Sequence, residues 1–129
     1  MNTDIPPQQN ATDAQVEEEL VATLLDERRN TTRLRVSLPV RWEGNSCVLR
    51  GEIVDLSSTG CFILTDDKVE EGELIRVEIT LPTREPISIW GEVVYRMTEI
   101  GFGLRLTGSS DDDFKLFKWL VGERAARGI

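Results

Sequence analysis

Two short runs hold the residues in this chain best suited to chemistry. Arg28-Arg29-Asn30-Thr31-Thr32-Arg33 gathers guanidinium groups, and about twenty residues on Asp55-Leu56-Ser57-Ser58-Thr59-Gly60 presents a carboxylate, hydroxyls and a glycine. A guanidinium is a planar fork of donors that fits phosphate oxygens or the O6/N7 edge of guanine, whereas a carboxylate accepts from guanine nitrogens. Neither group serves both halves of such a ligand. Together the runs suit a molecule carrying phosphates and guanine bases.

The composition closes off other chemistries. The chain has no histidine, which removes the usual general base, the commonest metal ligand and every Ser-His hydrolytic triad. Cys47 and Cys61 form no CxxC pair and cannot by themselves build a structural zinc site, so both read as buried, reduced thiols. No metal site is expected, and without a general base or metal constellation the chain does not read as an enzyme. A formal net charge of -8 argues against a nonspecific nucleic-acid binder, which would present a broad basic face. Local charge tells more. Residues 1–27 lack Lys and Arg but hold Asp4, Asp13, Glu17, Glu18, Glu19, Asp26 and Glu27, and the sign then reverses at Arg28, Arg29, Arg33 and Arg35. A small anionic ligand needs only that local field. No apolar run approaches membrane-spanning length and no signal-peptide pattern opens the chain, so no membrane insertion and a cytoplasmic location are expected.

The elements that must position these groups follow from periodicity. With 129 residues, one domain with an extra tail is expected. Residues 1–13, containing Pro6-Pro7-Gln8-Gln9-Asn10, have too few apolar groups to offset ordering and read as a flexible tail. Over 14–27, Val16, Leu20, Val21, Leu24 and Leu25 recur at helical spacing, with the acids largely on the other face. That predicts an acidic amphipathic helix, too short to persist in water unless docked. Beyond it the pattern becomes period two. Strands are predicted over Val36–Glu43, Ser46–Asp55, Cys61–Thr65, Glu73–Leu81, Ile87–Met97 and Ile100–Leu106, separated by turn signals such as Ser58-Thr59-Gly60 and Glu71-Gly72. A meander of this kind buries its alternating face by closing on itself, which favours an antiparallel barrel. Ser109 or Ser110 then caps a C-terminal helix whose first turn, Asp111-Asp112-Asp113, suits the positive end of the helix dipole rather than a metal ion. Its apolar stripe is predicted to be Phe114, Phe117, Leu120 and Val121, lying against the barrel. Trp42, Trp90 and Trp119 fall on strands or this helix, where packing is the expected use.

From Arg28 to the C-terminal helix the chain resembles the PilZ domain family, the bacterial receptors for cyclic di-GMP. Arg29-Asn30-Thr31-Thr32-Arg33 is similar to its RxxxR motif and Asp55 to Gly60 to its D/NxSxxG motif, while Leu38-Pro39-Val40-Arg41 and Gly101-Phe102-Gly103-Leu104-Arg105-Leu106 resemble its first and closing strands. Short patterns arise by chance singly; their order and separation make them specific. The resemblance implies an all-β core, a six-stranded antiparallel β-barrel, with a C-terminal α-helix over 28–129. It implies that Arg29 and Arg33 clasp phosphates and meet guanine, that Asp55 and Ser57 contact bases, and that Gly60 gives a backbone conformation or close approach that a Cβ would disfavour. Arg28 stands at the position that in this family bears on whether one ligand binds or a stacked pair, and arginine there favours two molecules per chain. The chain departs from the family at Asn30-Thr31-Thr32, which lacks the aromatic or proline often found inside the arginine motif.

A nonenzymatic cyclic di-GMP receptor signalling to an effector protein is therefore the first reading, and a nucleotide-independent PilZ-like interaction module the second. The arginines could instead pair with Glu17 to Glu19, and the Asp55 turn could be an ordinary side-chain-stabilised one. The charge reversal also allows the acidic segment to lie near the arginines and compete with ligand phosphates for them.

Overall fold

Between Leu34 and Glu43 the inward positions carry Leu34, Leu38, Val40 and Trp42, all buried, while Arg35, Ser37, Pro39 and Arg41 face solvent. This period-two division makes a strand with one face committed to a core. The computed structural model describes residues 33–44, 46–82, 84–108 and 110–128. The tail, the helix expected over 14–27, and Arg28 and Arg29 lie outside the described residues. Six strands follow one another: β1 Leu34–Glu43, β2 Val48–Leu56, β3 Gly60–Leu64, β4 Leu74–Ile79, β5 Ile87–Met97 and β6 Gly101–Leu106. They close in the order β1-β2-β3-β6-β5-β4 with every neighbouring pair antiparallel, as the alternation and the family resemblance led us to expect. Closure pairs the outer strands, leaving no free sheet edge among the described residues. The ends differ from expectation by only a few residues, because pairing rather than propensity sets them.

The interior is apolar. Ile53, Leu56, Ile63, Val77, Ile79, Ile89, Val93, Phe102 and Leu104 converge there, with Trp42 meeting Phe102 edge-on at 5.4 Å between ring centroids. A helix, α1 (Asp111–Arg127), follows the barrel. Ser110 accepts from the Asp113 backbone N–H, and Asp113 Oδ2 accepts from the Ser110 backbone N–H at 2.9 Å, a reciprocal cap that confirms a capping use for Asp113. Gly128 ends the helix in the left-handed conformation at φ 73. The buried stripe of α1 is Leu116, Phe117 and Leu120 with Asp113 and Arg124, which keeps Phe117 and Leu120 of the expected stripe and replaces its other two members. Phe114 is exposed and Val121 half-buried, because the true stripe starts from the capping residue Asp113, one position short of Phe114. Leu116 and Leu120 join the barrel core.

Antiparallel closure sorts the connections between the two barrel openings. The start of β1, the β2–β3 turn, the end of β4, the start of β5 and the end of β6 all gather at one opening. Helix α1 is fastened across it: Asp112 Oδ2 accepts from Ser88 N at 2.8 Å, and Arg127 Nη1 donates to the Arg35 carbonyl at 2.6 Å. Two expectations fail on the outer surface. Cys47 is exposed in the β1–β2 connection, and only Cys61 is buried. Trp90 is 52% exposed, because the β4–β5 register puts it opposite the outward-facing Arg76.

Candidate functional site

The Asp55 run spans the end of β2 and the turn into β3. Ser57 N donates to the Gly60 carbonyl at 2.9 Å, closing the turn, and Thr59 N donates to Ser57 Oγ at 3.3 Å. Ser57 Oγ also donates to the Gly60 carbonyl at 3.3 Å. Ser57 is only 3% exposed, so its hydroxyl is spent inside the turn and faces no solvent. The turn is tied to the neighbouring strand, where Leu106 N donates to the Thr59 carbonyl at 2.9 Å. Gly60 needs no left-handed backbone here. A Cβ on it would lie 2.5 Å from the Leu104 carbonyl, so the glycine serves the close approach of β3 and β6.

Arg33, the last arginine of the first run, lies just before β1 and reaches the second run directly. Its Nη1 stands 3.3 Å from Asp55 Oδ2. Their side chains are 52% and 33% exposed, so the pair contributes about 0–1 kcal/mol and its members can exchange partners at little cost. Behind them lies Cys61, whose thiol burial pushes up to about 12; Arg33 favours its thiolate and Asp55 opposes it. The structure thus brings Arg33 and Asp55 together over the turn, with Ser57 and Gly60 in the framework beneath. Arg28 and Arg29 are not among the described residues.

The barrel register extends the site in a direction that the motifs do not indicate. Asp55 pairs with Phe62, Phe62 with Gly103, and Gly103 with Tyr95. Directly paired residues share a face of the sheet, so these form one outward row across β2, β3, β6 and β5. The Phe62 and Tyr95 rings stack at 6.1 Å between centroids and 27° between planes, and a Cβ on Gly103 would run into the Tyr95 ring. Glycine therefore lets the two aromatics cover the sheet. Tyr95 is 42% exposed, leaving part of its ring available to a flat ligand. A separate groove of about 560 Å³, lined by Arg41, Trp42, Leu74, Arg76, Glu78 and Trp90 among others, lies over β1, β4 and β5. It shares no residue with the Arg33–Asp55 cluster. Among the described residues no group of three or more His, Cys, Asp or Glu is placed to hold a metal ion.

The family model of the PilZ domain matches residues 27–123. Among curated proteins no match to the sequence was found. The fold is similar to that of the inhibitor of motility MotI/DgrA of Bacillus subtilis, at a TM-score of 0.63 and 18% identity, covering 75% of this chain and 51% of that one. It is similar to YcgR of Escherichia coli in complex with c-di-GMP, at a TM-score of 0.62 and 19% identity, covering 78% and 48% of the two chains. The chain thus spans about half the length of either protein. It is also similar to the isolated PilZ domain of YcgR with c-di-GMP, at a TM-score of 0.63 and 17% identity, covering 78% of this chain and 95% of that one.

Proposed function

Because the chain belongs to the PilZ domain family, we propose that it is a receptor for cyclic di-GMP that acts by binding rather than by catalysis. The single observation that carries this reading is the Arg33–Asp55 pair poised over the Ser57–Gly60 turn. Two of the structures it resembles hold c-di-GMP, which supports the same ligand here. Residues 28–129 form the binding unit, the cytoplasm is its working compartment, and no helix among the described residues is long and apolar enough to cross a membrane.

The chemistry follows from partner exchange. In the free protein Arg33 leans on Asp55. A phosphate offers the guanidinium two oxygens in place of one carboxylate contact, and a charge-assisted bond of this kind contributes about 1.5–3 kcal/mol against the 0–1 kcal/mol of the exposed pair. Arg29 and Arg33 then hold phosphates, and Asp55 turns to the N–H donors of guanine. The exposed Tyr95 ring, backed by Phe62, gives the base a stacking face. Ser57 and Gly60 hold the turn that presents Asp55. Arg28 adds a further guanidinium, which favours two stacked dianionic ligands per chain. Ordering of the arginines over the barrel changes the surface shown to an effector protein.

Calorimetric titration of the full chain with cyclic di-GMP tests this. Saturation at two equivalents is expected, falling toward one in Arg28→Leu. Arg33→Ala should bind about tenfold or more weakly. Asp55→Ala should narrow the preference for cyclic di-GMP over cyclic di-AMP. A parent chain that binds no cyclic di-GMP would be a nucleotide-independent interaction module instead.

A further inference from the structure

We propose that Arg35, two residues beyond the arginine motif, is a further contact for the ligand's phosphates. The proposal rests on the receptor reading and extends it to a residue that the motifs leave out. Arg35 and Asp55 are directly paired across β1 and β2. Their side chains therefore leave the same outer face of the barrel, with Cβ atoms about 5 Å apart. This lengthens the outward row to Arg35, Asp55, Phe62, Gly103 and Tyr95, with a cation at one end, a carboxylate next to it and an aromatic platform beyond. At about 4.8 Å between strands the row spans roughly 19 Å, long enough to lie under a cyclic dinucleotide.

Among the described residues the charge on Arg35 is uncommitted. Arg33, Arg41, Arg105 and Arg127 each face a carboxylate, in Asp55, Glu78, Glu92 and Glu123 respectively. Arg35 is exposed and has no ion pair among the described residues. Because Arg33 and Asp55 offset each other locally in the free protein, Arg35 leaves this end of the row with a net positive charge for an arriving dianion. Its backbone is also anchored. The β1–β2 register shifts between Arg35 and Leu38, and Arg127 Nη1 donates to the Arg35 carbonyl at 2.6 Å. The guanidinium is thus presented from a fixed point on the barrel rather than from a loop.

The test compares Arg35→Ala, Arg35→Lys and Arg76→Ala by calorimetry with cyclic di-GMP at low and high salt, on full-length chains of matched urea stability. Arg76 is an exposed arginine on β4, away from the row, and controls for net charge. Arg35→Ala should weaken binding about fivefold or more and flatten its salt dependence, Arg35→Lys should recover part of the loss, and Arg76→Ala should stay within about twofold of the parent. Equal affinities for the two alanine variants would overturn the contact while leaving the receptor reading intact. A loss confined to discrimination against cyclic di-AMP, with unchanged salt dependence, would also overturn it, because Arg35 would then act only by positioning Asp55. Absence of binding by the parent overturns the receptor reading and this contact with it.

Discussion

Cys61 sits in surroundings far from those of an ordinary thiol. It is enclosed by the barrel behind the Arg33–Asp55 pair, and burial raises its thiol to about 12. In an unfolded chain a thiol titrates near 8.5, so from roughly pH 8.5 to 12 the unfolded state loses a proton that the folded state keeps. The contribution to stability is complete below the lower value and is lost as pH rises through that window. The urea-stability gap between the parent and Cys61→Ala should therefore narrow between about pH 7.5 and 9.5. A constant gap would show that the thiol titrates alike in both states. Native protein should also expose one thiol, Cys47, to a disulfide reagent and yield the second only in denaturant. Two fast-reacting thiols in the native chain would place Cys61 nearer the surface than its 3% exposure allows.

At the level of elements, glycines divide by what surrounds them rather than by how they sit in the sequence. Gly60 lies where β3 meets β6, and any added Cβ meets the Leu104 carbonyl, a backbone atom that cannot swing aside. Gly60→Ala should cost about 1–3 kcal/mol in urea unfolding, since strands must part to admit the methyl group. Gly122 lies in α1, where a Cβ would meet nothing within 4 Å among the described residues. Gly122→Ala should add about 0.5–1 kcal/mol, because alanine loses less backbone entropy in a helix. The opposite signs come from one substitution type. If both variants shift stability in the same direction, the close β3–β6 approach is not what selects Gly60.

For the whole molecule, the arrangement of openings matters most. The arginine run leads into β1 at the opening where the Asp55 turn lies and where α1 is fastened to Ser88 and Arg35. Anything that orders the arginines therefore acts next to both the helix and the acidic segment that precedes them in sequence. We propose that residues 17–27 compete with ligand phosphates for these guanidiniums. Exposed pairs contribute about 0–1 kcal/mol each and are screened by salt, so the restraint should be modest. Deleting residues 1–25 should tighten cyclic di-GMP binding by about a few-fold at low salt and by less at high salt. Unchanged or weaker binding at both would leave that segment a packing element or a docking surface for a partner.

The features that the sequence determined by itself are those written in short-range chemistry. Alternating apolar residues produced the strands, Ser110 and Asp113 the helix start, and the Asp55-to-Gly60 spacing the turn, because side-chain direction and local hydrogen bonding are set within a few residues. That the end of the arginine run would meet the Asp55 run was legible only through the family resemblance, and the contact that the structure describes is Arg33 against Asp55. Tertiary structure alone decided which outward residues became neighbours. Phe62 and Tyr95 stack, Arg35 faces Asp55 and Trp90 faces Arg76 only because closure fixes register between strands distant in sequence, and a one-residue slip would move each of them to the other face. Closure likewise turned the Ser57 hydroxyl inward and left Cys47 outside, since burial is a property of the closed barrel and not of any residue in it.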